Sequence, residues 1–147
     1  MTVGVIPLTA DMPAPVNLTE VPLTAVLGSA DYRAILEHGF PGDAGFLTGM
    51  LLPFLTTCNS DYRCFLLWEN GELVATATAG ITDGVALIFN LTVSPSRRGT
   101  RLASAVRDAL KSTLGQRGLS HIVFWTSQPI IQRFAPEQTD YTIARSR

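Results

Sequence analysis

The stretch Val93-Ser-Pro-Ser-Arg-Arg-Gly-Thr-Arg-Leu-Ala103 sets Arg97, Arg98 and Arg101 where an apolar pattern of helical period begins. The first turn of a helix exposes unpaired N–H groups and carries about half a positive charge, so each arginine there is disfavoured by roughly 0.3–1 kcal/mol. Two explanations stand: the guanidinium groups point into solvent, or something anionic sits among them. A strand ending in a tight turn at a helix N-terminus is a ready anion site, and guanidinium groups grip phosphate oxygens in pairs. The charge distribution sharpens the question. Residues 1–96 hold nine acidic and two basic residues, whereas residues 97–117 hold six basic and one acidic.

The other chemistry-bearing residues offer less. Cys58 and Cys64 are too few for a disulfide framework and lack CxxC spacing; with only His38 and His121 elsewhere, no metal site is expected, and both thiols should be free. Glu69 and Glu72 flank a turn, where solvated carboxylates are expected. Asn90 is the one strongly polar residue of an otherwise apolar strand. It is placed either to orient a water or an acyl group, or simply to be satisfied within the sheet.

These residues need elements to hold them. Residues 1–23, rich in Pro and Thr, read as an irregular start with one edge strand. Ser29 or Asp31 caps a helix bearing Ile35 and Leu36, and a second, more apolar helix spans about 46–56, bent or ended near Pro53. CFLLWE and ELVATATAGI flank Asn70-Gly71, a strong hairpin signal, and Asp83-Gly84 turns the chain into VALIFNLTV, apolar on both faces and therefore central. After Pro95, Leu102, Val106, Leu110 and Leu114 form one helical stripe, with Arg107, Asp108, Lys111 and Ser112 on the other faces. Gly115 or Gly118 ends that helix, HIVFWT follows as a strand, and a short helix and a last strand over 141–145 complete the tail. Counting the edge strand as the first, the fourth and fifth strands are joined by a crossover helix and should pair in parallel. The expected fold class is α/β (α+β), a mixed, mostly antiparallel sheet flanked by helices.

With 147 residues, 46% hydrophobic and 16% charged, the chain should form one ordered domain over 1–147. Its net charge of −1 argues against nucleic acid as the main partner. The run FLTGMLLPFL is too short for a membrane span, and the N-terminal stretch lacks the basic region of a signal peptide, so no membrane partner and a cytoplasmic location are expected.

The segment LTVSPSRRGTRLASAVRDAL…RGLSHIVFWT resembles the cofactor-binding half of the GNAT superfamily of N-acetyltransferases. That family carries a strand ending V-x-P, then (R/Q)-x-x-G-x-(G/A), a helix, and a strand after a glycine. The match is Val93 and Pro95, then Arg98-Gly-Thr-Arg101-Leu-Ala103, then Gly118. The resemblance implies acetyl-CoA as cosubstrate and an amine, on a small molecule or peptide, as acceptor. It implies that Arg98, Gly99, Thr100, Arg101, Leu102 and Ala103 hold the pyrophosphate while Leu91 and Val93 pair with the pantetheine arm, Val93 also offering an N–H to the thioester oxygen.

Three positions depart from the family pattern. The loop's central glycine is Arg101, whose side chain either points outward or blocks the cradle. The stretch where family members carry an Asn and a proton-donating Tyr is Ser127-Gln128 with Phe134, leaving Tyr141 as a substitute acid that no spacing supports. The fourth strand bears no carboxylate to act as general base. Catalytic residues are therefore unassigned. The alternative is a non-catalytic structural or interaction protein on the same fold, like the GNAT-like domains among small virion-associated proteins of tailed phages. It would assemble with a partner or with its own copies, in a virion.

Overall fold

Two turn dipeptides organise the middle of the chain. Asn70 and Gly71 take φ of 52° and 79°, and Asp83 and Gly84 take 50° and 76°, the left-handed pairs that match the twist of flanking strands. In the computed structural model, which describes residues 2–57, 61–126 and 142–145, they close hairpins between β3 (Asp61–Glu69), β4 (Glu72–Thr82) and β5 (Val85–Val93). β6 (His121–Thr126) lies parallel to β5, as the crossover through α4 (Leu102–Gln116) requires. Two strands precede the hairpins, β1 (Thr2–Pro7) and β2 (Thr19–Pro22), so the parallel pair is β5 and β6. With β7 (Thr142–Arg145), the sheet order is β2-β3-β4-β5-β6-β1-β7, antiparallel at every junction except β5/β6.

The N-terminus corrects the sequence reading. β2 is the expected edge strand, pairing β3 alone, but the chain does not start irregularly: β1 lies inside the sheet, antiparallel to both β6 and β7. Local patterning cannot reveal this, because the partners of β1 lie more than a hundred residues away.

Helices cover both faces. α1 (Ala30–Gly39) starts at Ser29, whose Oγ accepts the Tyr32 N–H at 3.3 Å, and buries Tyr32, Ile35 and Leu36. α2 (Ala44–Phe46) and α3 (Leu52–Leu55) are joined by a π-helical stretch, Leu47–Leu51, just ahead of Pro53. Proline has no N–H to give and its ring crowds the carbonyl four residues back, so a widened turn there accommodates it. The helix thus begins earlier than expected and bends rather than stops, leaving Phe46, Met50 and Phe54 exposed. These helices share a core with Cys64, Leu66 and Leu73.

The opposite face belongs to α4. Leu102, Val106, Leu110 and Leu114 are buried as predicted, against Ala77, Ala79, Ala86, Ile88 and Val93. Lys111 and Ser112 are buried too, against expectation. At Ser112 the cause is the segment after β1, which crosses α4: Ser112 Oγ donates to the Met12 carbonyl at 2.6 Å, and a Cβ on Gly115 would overlap the Thr9 carbonyl. Gly115 is therefore a packing position inside the helix. Gly118, at φ 84°, ends it, with Gly118 N–H on Gly115 O and Leu119 N–H on Leu114 O, the paired bonds of a Schellman cap.

Candidate active site

β5 is a rail with one irregularity. Asn90 faces Thr78 and Ile88 faces Ala79, so Phe89 is an extra residue, a β-bulge. Ala86 and Ile88 face α4; after the bulge Leu91 and Val93 do so, while Asn90 and Thr92 look toward α1. A bulge changes side-chain parity in this way because the strand period is two. Phe89 packs on Tyr62 (5.8 Å between ring centroids) above Gly80, where a Cβ would come within 2.8 Å of the Tyr62 ring.

The second irregularity is a parting of strands. β5 pairs with β6 only from Val85↔His121 to Ile88↔Phe124, so beyond the bulge β5 runs on without β6 beside it. At the end of β5, Ser94 N–H is held on Val74 O at 2.8 Å, a 3-10 turn covers Pro95–Arg97, and the loop reaches α4 through Gly99 (φ 79°) and Arg101 (φ 62°). Arg101 is the N-cap of α4, and no side chain caps that end. A cleft of about 280 Å³ joins these parts, lined by Gly39, Phe40, Leu91, Thr92, Val93, Arg98 and Ala103.

The three arginines separate in role. Arg97 is ion-paired with Glu69 at the tip of the β3–β4 hairpin, so this carboxylate is bound rather than merely solvated. Arg98 reaches across the cleft mouth and donates to the His38 carbonyl at 3.2 Å, at the C-terminal end of α1 where a cation is favoured. The Arg101 side chain is exposed and makes no hydrogen bond or ion pair among the described residues, while its carbonyl accepts the Ala105 N–H at 3.1 Å. Its backbone takes the shape that a glycine would take, with the side chain in solvent. Of the other predicted site residues, Leu102 is buried under the sheet, Gly99, Thr100 and Ala103 are exposed, and the Thr100 hydroxyl donates to the Arg97 carbonyl. All eight lie along one line from mid-β5 to the first turn of α4.

On the α1 side of the same rail is a polar cluster the sequence reading missed. Thr78 Oγ1 lies 2.7 Å from Tyr32 Oη and accepts Asn90 Nδ2 at 3.1 Å; Cys64 Sγ lies 3.3 Å from Thr76 Oγ1. Tyr32, Cys64, Thr76 and Thr78 are buried, and Asn90 is 8% exposed with its Oδ1 unpartnered among the described residues. Burial pushes the Tyr32 phenol well above its ordinary range and raises the Cys64 thiol, which favours the neutral form of both. The signal was present in Val-Ala-Thr-Ala-Thr-Ala-Gly, where threonines alternate with alanines in a strand buried on both faces. A smaller cleft of about 130 Å³ opens between α1 and the start of β4, lined by Asp31, Ala34, Ile35, His38, Glu72, Leu73 and Ser94. Among the described residues no group of His, Cys, Asp and Glu could hold a metal ion, and no helix is long and apolar enough to cross a membrane. Cys58, Ser127, Gln128, Phe134 and Tyr141 lie outside the described residues.

A strand that parts from its parallel neighbour and ends at a helix N-terminus without a side-chain cap defines the structural class of this site. Comparison with known proteins gives that class its family. The model of the acetyltransferase (GNAT) family matches residues 31–135, and the chain belongs to that family. Among solved structures it is similar to the ribosomal-protein-S18-alanine N-acetyltransferase from Escherichia coli, at 22% identity and a TM-score of 0.60 over 82% of this chain and 75% of that one. It is similar to AAC(6')-Iy, solved with the bisubstrate analog CoA-S-monomethyl-acetylneamine, at 17% identity and a TM-score of 0.59 over 90% and 99%. A GNAT-family acetyltransferase from Colwellia psychrerythraea matches at 15% identity and a TM-score of 0.67 over 97% of this chain but only 52% of that one, so the chain spans about half its length. No curated protein matches the sequence significantly.

Proposed function

We propose that the chain is an N-acetyltransferase that moves the acetyl group of acetyl-CoA directly to an amine of a small molecule or peptide in a ternary complex. The observation that carries this reading is the parting of β5 from β6 after Ile88, which opens onto the cleft between Leu91–Val93 and the N-terminus of α4. Acetyl-CoA supplies the activated acyl group as a thioester. The residues present suit it. Leu91 and Val93 offer main-chain groups to a pantetheine arm along the side of β5 that β6 leaves after Ile88, in the manner of an added strand. The N–H groups from Gly99 to Ala103 face the pyrophosphate at a helix end without a side-chain cap, and a Cβ at Gly99 would meet nothing within 4 Å. Arg101, unpaired at that mouth, and Arg98, already across it, supply the positive charge.

For the chemistry, the chain contributes position and an oxyanion contact. Holding the reactants in line and donating an N–H from Val93 to the thioester oxygen lower the barrier without a strong base on β5. The non-catalytic alternative gains nothing from the geometry or from the relatives. Calorimetric titration with acetyl-CoA is the decisive test. Saturable one-to-one binding with a rise in melting temperature is expected; no binding at millimolar CoA overturns the proposal.

A further inference from the structure

We infer that the Arg101 guanidinium binds the phosphate monoester on the ribose of CoA, so that the chain distinguishes CoA from its 3′-dephospho form. Resting on the acetyl-transfer reading above, this assignment deepens it by giving the arginines after β5 different phosphate groups. Arg97 is engaged with Glu69, and Arg98 spans the cleft mouth to the His38 carbonyl. The Arg101 side chain is exposed and has no partner among the described residues, and the sequence carries no acid between Ser94 and Arg107. Its backbone sets it apart as well. Among the described residues, the non-glycine positions with positive φ are Asn70, Asp83 and Arg101. Asn and Asp tolerate that region through their short polar side chains, whereas an arginine does so only at a cost. Conformations of this kind cluster at ligand clamps.

CoA carries phosphate at two separate places. A diphosphate joins pantetheine to the ribose, and a monoester on the ribose 3′ oxygen has a charge of about −1.5 to −2 at neutral pH. The cleft has no room for both. Its volume of about 280 Å³ falls below the roughly 300–1,000 Å³ of pockets for drug-sized ligands, and CoA is larger than those ligands. Part of the cosubstrate therefore stays outside. With the thioester end directed along β5 toward Leu91, the part left outside is the nucleotide end. Arg98 and Ala103 line the cleft, and Arg98 is thereby placed for the diphosphate. Arg101 lies between them in the chain, exposed at the N-cap of α4 and outside the cleft lining, and is the arginine left for the monoester. A guanidinium grips such a group with two parallel N–H···O bonds. Because the contact is exposed, salt should weaken it.

Calorimetric titrations with CoA and with 3′-dephospho-CoA, at low and at physiological salt, test the assignment. The unaltered chain should bind CoA roughly 10- to 100-fold more tightly than the dephospho form, as a charge-assisted pair of hydrogen bonds implies. That preference should shrink as salt rises. Arg101→Gly suits φ 62° and so keeps the loop; it should bring the two affinities within about threefold of each other. Arg101→Lys, which keeps the charge but not the fork, should retain part of the preference. Arg98→Ala should weaken both ligands alike. Equal affinity of the unaltered chain for the two ligands overturns the inference and leaves the acetyl-transfer reading standing. An undiminished preference in Arg101→Gly overturns it as well. So does a loss in Arg101→Gly that is the same for both ligands, which would assign Arg101 to the diphosphate. If neither ligand binds the unaltered chain at millimolar concentration, the acetyl-transfer reading falls, and this assignment with it.

Discussion

Arg101 stands at φ 62° in a place where the related loops carry glycine, and a non-glycine residue there bears a conformational cost of about 1–2 kcal/mol. Arg101→Gly should therefore stabilise the unliganded chain by about 1 kcal/mol in urea denaturation while weakening CoA binding, because the proposed phosphate site would lose a guanidinium. A gain in both would show that the native side chain obstructs the loop. Arg98→Ala should weaken CoA by ~1–3 kcal/mol, measured by calorimetry. Arg97, held by Glu69, is not available to phosphate without breaking that pair. On the other side of β5, Cys64 and Tyr32 set a pH limit. Both acids have folded pKa values raised by burial, so the stability they contribute is complete below their unfolded values and is lost as pH rises past them. Unfolding free energy should be level through neutrality and decline from about pH 8.5, where an unfolded thiol ionises. In Cys64→Ala the decline should begin only near pH 10, where an unfolded phenol ionises; an unshifted onset would exclude Cys64 as its source.

At the scale of elements, α4 carries two loads that compete at Gly115. Alanine is a better helix former than glycine by roughly 1 kcal/mol, so Gly115→Ala should stabilise a free helix face. Here the new Cβ would overlap the Thr9 carbonyl, and a backbone atom cannot rotate away as a side chain can. The expected outcome is a net loss of about 1–3 kcal/mol in chemical denaturation. A net gain would mean that the segment after β1 does not rest on α4. The same segment explains why Ser112 is buried on a helix face whose residue types read as solvated.

For the whole molecule, β1 joins the edge strand β7 to the rest of the sheet. It pairs with β6 over Thr2–Pro7 and with β7 over Thr2–Val5, partners more than a hundred residues on, so the first strand is in place only when nearly all the chain is present. Pairings of such sequence separation pay their closure entropy before any contact rewards it, which makes folding slow. Deleting residues 1–7 would leave unpaired edges on β6 and β7. Such a chain should lose its cooperative thermal transition; an unchanged melting temperature would show that β1 is dispensable.

What the amino-acid order determined by itself was local: the two turn dipeptides, the apolar run of β5, the stripe of α4, and the Val-x-Pro and Arg-Gly-Thr-Arg-Leu-Ala signals from which the family was already legible. Each of these depends on neighbours within a few residues, where steric limits and side-chain period act directly. The tertiary structure alone decided which arginine meets which partner, since Arg97 and Glu69 are brought together by a hairpin and Arg98 and His38 by the docking of α1. It alone decided that Phe89 bulges, that Asn90 and Thr92 thereby face α1, and that Tyr32, Thr78 and Asn90 share one oxygen. It alone placed β1 inside the sheet. These features depend on register and on contacts between distant segments, and a one-residue slip would reverse every face, so no local pattern encodes them.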